Sequence, residues 1–484
     1  MSAQAVEQLT FAFLPQLPVV VQRSEGQLTS DAGLLPLAEL DRRWRYTARM
    51  AGCLEQDPRR DPRRKGRGAL PRHQRLAMLR QRLFGIVAGY EDCNDHDTLR
   101  DEPVFKLIAD RLPEDEALAS QPTLSRFENA VTVRDLNRLN DFLITTGIEL
   151  LKRQHGGRLP AQITLDLDAT DDPTHGQQQL SLFHGYFEQY QYFPLVISEP
   201  TSKHVFLVSL RPGTVHAALG ADDDLLRVVA ALRRERPDIK VHVRGDAAFG
   251  VPWMYEACES REKQGDNDLP GAGSLPGAGA GVTYTFGFAV NERIKPITAA
   301  LMEQAVGQYE ATGQKQRLFM CFDYQAESWD RPRTVVAKAE CHAQGTNLRC
   351  IVVERPGVTI VSADDGQRQY DDYIQRGESE QRMDELKNGL SMDRLSCHRF
   401  MANFFRLLLH TAAYNLLNAA RHSAQLPAVL RTGQPCTWRM MLIKVAAVVV
   451  QTTRRVIIQL AANWPWWSMY QAVSRHALSF EAGP

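Results

Sequence analysis

The chain has 484 residues, of which 44% are hydrophobic and 24% charged, with a formal net charge of zero. This is the composition of a globular protein with more than one structural unit. No run of about 18 uninterrupted apolar residues occurs, so we expect no transmembrane helix, and the first residues lack the pattern of a secretory signal. The eight cysteines include no CxxC pair, which argues against a zinc or disulfide framework and favours a cytoplasmic location.

Charge is unevenly distributed although it sums to zero. Residues 41–82 contain fourteen Arg or Lys against four acids, whereas residues 91–116 contain ten acids against three bases. Because counterion release depends on local phosphate contacts, a basic segment can bind DNA even on a neutral protein. We therefore predict DNA contacts at Arg63, Arg64 and Lys65, with a solvated Pro- and Gly-rich loop as the alternative.

The first part of the chain, residues 1–155, is predicted to be mainly helical. Apolar residues recur there at spacings of three and four, which predicts helices over 34–50, 70–88, 103–111 and 133–152.

An α/β pattern begins near residue 156 and continues to residue 265. Residues 163–168 alternate apolar side chains with polar or acidic ones, which predicts a half-buried strand ending at Asp168. Further strands are predicted over 195–199, 205–210 and 239–243, and helices over 222–236 and 249–263. Asp246 follows the last of these strands, after Gly245, and ligand-binding groups of open α/β sheets collect at such strand ends.

The second half of the chain is predicted to interrupt this sheet and then complete it. Residues 266–281 form a Gly/Ala/Pro linker that cannot pack a core. Residues 282–365 are predicted to be a mostly β insertion, with strands over 282–290, 316–324, 333–342 and 347–354 and a helix near 297–309. Residues 366–425 are predicted to be the second part of the α/β core, and residues 426–484 a C-terminal region.

A polar stripe is predicted on the helix that contains residues 373–387. At 100° per residue, Arg376 lies about 40° from Glu380, and Tyr373 and Lys387 each lie about 20° from it. Glu378 lies about 160° and Glu385 about 140° from Glu380, so neither is a good substitute, and helix geometry favours Glu380. The alternative interpretation is a solvated surface with Arg376 and Glu380 as an ion pair.

Asp168, Asp246 and Glu380 together suit phosphodiester cleavage with two hard cations. Such ions need oxygen ligands, usually carboxylates, that hold them about 3.5–4 Å apart. We predict that Asp168 bridges both ions, with Asp246 and Glu380 on either side. Asp166 shares a strand face with Asp168 and stays open as the first carboxylate.

The sequence resembles the DDE transposases of bacterial insertion sequences, in the branch with a Y-(2)-R-(3)-E-(6)-K motif. That spacing is matched without a gap by Tyr373, Arg376, Glu380 and Lys387. Asp168 and Thr170 match a strand-end D-x-T, and Gly245 with Asp246 resembles the second acidic motif. The resemblance covers about residues 20 to 465.

This resemblance implies an RNase H-like α/β catalytic core, a mostly β insertion and a helical N-terminal region that binds transposon ends. The implied activity is cleavage of double-stranded DNA at terminal inverted repeats and strand transfer into target DNA. We expect two Mg²⁺ ions per site, with Mn²⁺ as a substitute, and a homodimer on DNA in the bacterial cytoplasm, associated with the nucleoid. Tyr373, Arg376 and Lys387 are the expected DNA contacts of the motif.

An aromatic residue of the insertion is expected, from the same resemblance, to stack on a flipped base. We select Trp329, because a Trp in a polar, charged loop is unusual for a core residue, with Arg331 and Arg333 as neighbouring phosphate contacts. The alternative for Trp329 is a ring that closes the rim of the β unit. Alternative functions are a DNA nuclease without strand transfer, a DNA-binding protein that has lost catalysis, and a hydrolase of another phosphorylated substrate.

Overall fold

The computed structural model describes residues 8–11, 19–22, 26–55, 73–259, 282–355 and 360–480. The basic cluster Arg63, Arg64 and Lys65 and the predicted linker 266–281 lie outside the described residues.

The N-terminal part is helical, as predicted, after three short strands. Its elements are β1 (Gln8–Phe11), β2 (Val19–Gln22), β3 (Gln27–Thr29), α1 (Leu34–Trp44), α2 (Tyr46–Cys53), α3 (Arg75–Ala88), α4 (His96–Leu99), α5 (Pro103–Ile108), α6 (Gln121–Glu128) and α7 (Val133–Gln154). The helix predicted over 34–50 is divided at Arg45, whose φ of 56° lies in the left-handed region. α7 begins with a capping box in which Thr132 and Asp135 satisfy each other's backbone N–H groups.

The central sheet begins with the strand that ends near Asp168. The elements of this part are β4 (Gln162–Ala169), β5 (Asp172–Pro173), β6 (Leu182–His184), β7 (Gln189–Tyr192), β8 (Leu195–Ser198), β9 (Val205–Ser209), α8 (Ala221–Glu235), β10 (Lys240–Gly245), α9 (Pro252–Glu259) and β11 (Val282–Phe288). Five of these strands lie side by side in the order β9-β8-β4-β10-β11. β9, β8 and β4 are antiparallel neighbours, whereas β10 runs parallel to β4 and β11 parallel to β10. This is the strand order expected of an RNase H-like core.

Three further strands extend the same sheet. They are β12 (Gln316–Tyr324), β13 (Arg333–His342) and β14 (Gly345–Glu354), and they follow α10 (Ile294–Thr312). β14 pairs antiparallel with β11, so that the sheet has eight strands in the order β12-β13-β14-β11-β10-β4-β8-β9. The strand predicted at the start of the insertion is thus β11, paired in parallel with β10, and the following strands continue the sheet from its edge.

Helices return after the sheet. The remaining elements are α11 (Ala363–Ile374), α12 (Glu378–Asp384), α13 (Phe400–Arg421), α14 (Ala428–Arg431), α15 (Pro435–Trp438), β15 (Ala447–Gln451), β16 (Val456–Leu460) and α16 (Trp467–Ser479). The helix predicted across residues 373–387 is not continuous, because a 3₁₀ turn, Gln375–Gly377, separates α11 from α12 and a π-helical turn, Glu385–Gly389, follows α12.

The long helix α13 is the centre of the larger apolar core. Nineteen of its 22 residues are buried, and it packs with apolar side chains of α1, α3, α7 and α16. A second core lies between the sheet and helices α7, α8 and α9. Burial at about 25 cal/mol per Å² of apolar surface makes these two cores the main source of stability. Among the described residues, no helix is both long and apolar enough to span a bilayer.

Candidate active site

Two of the three predicted acids lie at one edge of the sheet. Asp168 is near the end of β4, and Asp246 directly follows β10, the parallel neighbour of β4. The register pairs Arg244 with Asp166. Asp246 and Asp168 are each two residues further along, so they lie next to each other at this edge of the sheet. Asp246 is held in place by its own turn, where Oδ1 accepts the backbone N–H of Ala248 at 2.9 Å.

The turn after Asp246 packs closely against Gly287 of β11. A Cβ on Gly287 would lie 2.6 Å from the backbone nitrogen of Ala247 and 2.9 Å from the hydroxyl of Tyr373, distances that side chains do not adopt. The turn after Asp246 and the end of α11 can therefore approach β11 closely only because this residue lacks a side chain.

Asp168 is largely buried and carries a perturbed carboxyl group. Burial raises the pKa of Asp168 to about 6, and the neighbouring charge of Asp246 adds to this, whereas Arg376 and the hydroxyl of Ser379 oppose it. Ser379 Oγ donates a hydrogen bond to Asp168 Oδ2 at 3.1 Å. A buried carboxyl beside a second acid is a frequent feature of active sites.

The positive charge of Arg376 interacts with the carboxylates of both Asp168 and Asp246. Burial lowers the pKa of Arg376, but the Tyr373 hydroxyl and the carboxylates of Asp168 and Asp246 raise it more. Its guanidinium carbon lies 5.9 Å from the centroid of the Tyr373 ring. Two residues of the predicted stripe, Tyr373 and Arg376, are therefore together and beside the acids despite the break in the helix.

Glu380 and Asp168 line the same cavity, whose volume is about 470 Å³. The cavity is bounded by Asp168, Ala169, Thr170, Asp171, Pro173, Glu380, Met383, Asp384, Lys387, Asn388 and Asp393. Glu380 is exposed. Asp246 is not among the residues that line this cavity. Within the described part of the chain, no three acidic, histidine or cysteine side chains come close enough together to share one cation.

Lys387 reaches the cavity from the π-helical turn. Its Nζ donates to Asp171 Oδ1 at 3.0 Å, to the Asp171 backbone oxygen at 2.8 Å and to Thr170 Oγ1 at 3.1 Å. These contacts attach the turn to the residues just after Asp168. Lys387, the last residue of the predicted stripe, is thus at the site, and its charge is paired with that of Asp171.

Asp166, the open alternative for the first carboxylate, has a different environment. Its side chain is fully buried and both oxygens accept hydrogen bonds from arginines, Arg244 and Arg382. It is not among the residues that line the cavity. Of the two candidates, Asp168 is the one that faces the cavity.

The expectation that Trp329 lies outside the core is wrong. Its side chain is only 6% exposed and packs among Tyr255, Phe288 and Tyr324, with ring centroids 5.2–5.7 Å apart. The alternative interpretation, a ring that closes the β unit, describes this position. The polar sequence around Trp329 is misleading because its apolar partners come from distant parts of the chain.

Arg333 is also unavailable for phosphate contact. Its guanidinium is 1% exposed and bonds to Glu259 at 2.7 Å and Asp330 at 2.8 Å, so two carboxylates already neutralise it. Arg331 is 43% exposed but contacts Glu259 and Glu354, each at 3.1 Å. The prediction for Arg333 is therefore wrong, and Arg331 is exposed but ion-paired.

A surface that the sequence analysis did not single out lies on the hairpin β6–β7. Phe183, Tyr186 and Tyr190 are 50%, 85% and 60% exposed, and Phe183 faces Tyr190 across the strands. We call these three side chains the aromatic hairpin. Gln189 Nε2 donates to Asp171 Oδ2 at 3.0 Å, which joins the hairpin to the cavity edge. The density of aromatic residues over 183–193 was the signal that could have revealed it.

An RNase H-like sheet with acids at the ends of adjacent parallel strands and on a following helix defines a class of enzymes that cleave and join polynucleotides. The model of one family within this class, described as transposase DDE domain group 1, matches residues 11–479. The chain therefore belongs to the DDE transposase family, whose enzymes cleave DNA and transfer its strands with divalent metal ions. This confirms the resemblance to DDE transposases, the fold class and the enzyme class inferred from the sequence.

Two further comparisons are less informative. No curated protein matches the sequence. Among solved structures, the chain is similar to a piggyBac transposase in a cryo-EM structure of its synaptic complex with hairpin DNA, with 11% identity and a TM-score of 0.40 over 94% of this chain and 85% of that one.

Proposed function

We propose that this transposase cleaves DNA at the terminal inverted repeats of a bacterial insertion sequence and joins the resulting 3′-OH ends to target DNA. Asp168, Asp246 and Glu380 are the proposed ligands of two Mg²⁺ ions, for which Mn²⁺ substitutes. The observation that carries this proposal is that Asp168 of β4 and Glu380 of α12 line one cavity of about 470 Å³, with Asp246 directly after the adjacent parallel strand β10.

The chemistry of the donor set fits hard divalent cations. Mg²⁺ and Mn²⁺ prefer carboxylate oxygens, and the three proposed ligands are all carboxylates. Burial and the neighbouring charge of Asp246 disfavour the ionised form of Asp168 and raise its pKa to about 6. A bound cation would stabilise that ionised form. When bound, two such ions activate the attacking water or hydroxyl and stabilise the leaving oxygen.

The side chains around the acids have separate proposed tasks. Ser379, bonded to Asp168 at 3.1 Å, orients that carboxylate. Asp246 is oriented by the N–H of Ala248. Arg376, which interacts electrostatically with Asp168 and Asp246, and Lys387, which lines the cavity, are proposed to bind phosphates that flank the cleaved bond. The hydroxyl of Tyr373 is proposed to donate to one of these phosphates.

The aromatic hairpin replaces Trp329 as the proposed surface for unpaired bases. Its three rings present exposed faces, and its strand β7 pairs with β5, which ends at the cavity residue Pro173. Stacking of a base on an aromatic ring contributes about 1–3 kcal/mol and needs no particular base sequence. The aromatic hairpin is therefore proposed to stack on the unpaired bases of a distorted DNA end near the site.

A homodimer on DNA is the proposed working assembly, in the cytoplasm and at the nucleoid of a bacterium. Two transposon ends must be cut in a coordinated way, and one cavity with one acid set serves one end at a time. The basic cluster Arg63, Arg64 and Lys65 is proposed to contact end DNA outside the cleavage site, since its charge is the densest along the chain.

The experiment that tests the proposal uses DNA carrying the inverted repeats that flank the coding region. We expect cleavage and joining with Mg²⁺ or Mn²⁺, and DNA binding without either reaction when EDTA removes the ions. Cleavage that continues in EDTA would contradict the metal-dependent mechanism, and cleavage without joined products would contradict strand transfer.

A further inference from the structure

Two residues before Asp168 on β4 lies a buried group that the proposed chemistry does not use, the carboxylate of Asp166. We propose that Asp166 is a positioning residue that sets the relative placement of the strands and helix carrying Asp168, Asp246 and Glu380. This inference rests on the proposed function, because it concerns how the three acids are held at one site.

Asp166 connects two arginines from different elements. Its Oδ1 accepts a hydrogen bond from Arg244 Nε at 2.8 Å, and its Oδ2 accepts from Arg244 Nη2 at 3.1 Å and from Arg382 Nη2 at 2.7 Å. All three side chains are at most 3% exposed. The two-point contact with Arg244 fixes direction as well as distance, which is the geometric advantage of a bidentate arginine.

Each member of this ion triad stands two residues from one of the acids. Asp166 precedes Asp168 on β4, and Arg244 precedes Asp246 at the end of β10. Arg382 follows Glu380 on α12. Side chains two apart on a strand share a face, so a shift of Asp166 or Arg244 along its strand displaces the acid beside it.

The two arginines extend the connection to two more elements. Arg382 Nε donates to Ser198 Oγ on β8 at 2.9 Å. Arg244 Nη1 donates to the backbone oxygen of Asp372 on α11 at 2.8 Å, next to Tyr373. One buried carboxylate therefore links β4, β10 and α12 directly and β8 and α11 through its partners, which are the elements that surround the site.

A buried ion triad does not by itself argue for stability, because desolvation offsets much of the attraction. Its geometric role can be separated from a stabilising role by comparison with a second triad in the same chain. Glu128 is fully buried and accepts from Arg82 Nε and Arg406 Nε, both at 2.7 Å. It joins α6, α3 and α13, and none of its members stands within two residues of Asp168, Asp246 or Glu380.

The test compares Asp166→Asn with the matched variant Glu128→Gln. Each replaces a buried carboxylate by an amide of the same size between two arginines. Mn²⁺ binding is measured by electron paramagnetic resonance of the free ion, together with thermal unfolding and cleavage of end-bearing DNA. We expect both variants to unfold at lower temperature, but only Asp166→Asn to bind Mn²⁺ about 10- to 100-fold more weakly and to cleave correspondingly more slowly, the usual range for a residue that orients metal ligands.

A second pair of variants keeps the charge. Lysine at position 382 can bond to Asp166 or Ser198 but not hold both in the fork of an arginine, so Arg382→Lys is expected to weaken Mn²⁺ binding while Arg406→Lys does not. Wild-type Mn²⁺ affinity in folded Arg382→Lys, or an equal loss in the Glu128 and Arg406 variants, overturns the positioning role. Failure of the wild-type protein to bind Mn²⁺ or to cleave overturns the proposed function itself, and the inference with it.

Discussion

Ser379 donates a hydrogen bond from its hydroxyl to Oδ2 of Asp168 at 3.1 Å. The donor is the residue immediately before Glu380, and the acceptor ends a strand more than two hundred positions earlier in the chain. This contact joins α12, the helix that carries Glu380, directly to Asp168.

Removing this contact should lower the rate of DNA cleavage. Ser379→Ala deletes the hydroxyl that orients Asp168, and we expect single-turnover cleavage to slow by about tenfold, the lower end of the effect of a residue that orients metal ligands, with DNA binding unchanged. Ser379→Thr keeps the hydroxyl and is the control. Equal rates for wild type and Ser379→Ala would show that Asp168 needs no such support.

The aromatic hairpin should contribute to DNA binding without contributing to the core. Tyr186 is 85% exposed, so we expect Tyr186→Ala to weaken binding of end DNA by about 1–3 kcal/mol, or about fivefold to a hundredfold in Kd, with the melting temperature unchanged. Fluorescence anisotropy with a labelled end measures this. Wild-type affinity in the double variant Phe183→Ala and Tyr186→Ala would eliminate the hairpin as a DNA contact.

Trp329 should contribute to the stability of the core and not to DNA binding. Because its ring is enclosed by Tyr255, Phe288 and Tyr324, Trp329→Ala should cost about 3–5 kcal/mol in the free energy of unfolding, as large aromatic truncations in cores do. Urea unfolding measures this loss. A variant of unchanged stability with weakened DNA binding would restore Trp329 as the stacking residue.

Acid should destabilise the protein through buried histidines. Burial lowers the pKa of His204 and of His410 to about 3, from 6.5. Above pH 6.5 neither state binds the proton, so these groups cause no change in stability. Between pH 6.5 and 3 only the unfolded state binds it, so stability falls as the pH falls, by up to about 1.4 kcal/mol per pH unit for each histidine.

The variant His410→Gln isolates one of these contributions. Its free energy of unfolding in urea should fall less steeply than that of the wild type between pH 6.5 and 4, by up to the slope of one titrating group. A variant whose stability has the same pH slope as the wild type would show that His410 is already protonated in the folded protein.

Much of the fold follows from local patterns. β12 and β13 have the bounds predicted from the sequence, 316–324 and 333–342, and α3, α5 and α7 lie where apolar spacing predicted helices. Each of these elements is specified by residues that are close together in the sequence. The 3₁₀ turn Gln375–Gly377 was not predictable, because it depends on how α11 and α12 pack against the sheet.

The environment of single residues was harder to predict than the elements. Asp166 and Asp168 look equivalent on their strand, and what distinguishes them are Arg244 and Arg382, which are 78 and 216 positions away from Asp166. Arg333 is buried for a similar reason, since its partner Glu259 lies 74 positions earlier. Motif spacing selected the acids, whereas partners distant in sequence decide which polar groups are free. The proposed division into domains stays a prediction.

The central claim is that Asp168, Asp246 and Glu380 act together on DNA ends. Its most direct test is Mg²⁺-dependent cleavage of DNA bearing the flanking inverted repeats by Asp246→Ala and by Glu380→Gln. The control is Asp238→Asn, an exposed residue before the opposite end of β10 whose side chain is 74% exposed. We predict that both site variants bind the DNA but cleave it at least about a thousandfold more slowly, the loss that about 4 kcal/mol of metal-dependent stabilisation implies, and that the control cleaves normally. Cleavage by either site variant at the rate of the control would contradict the account.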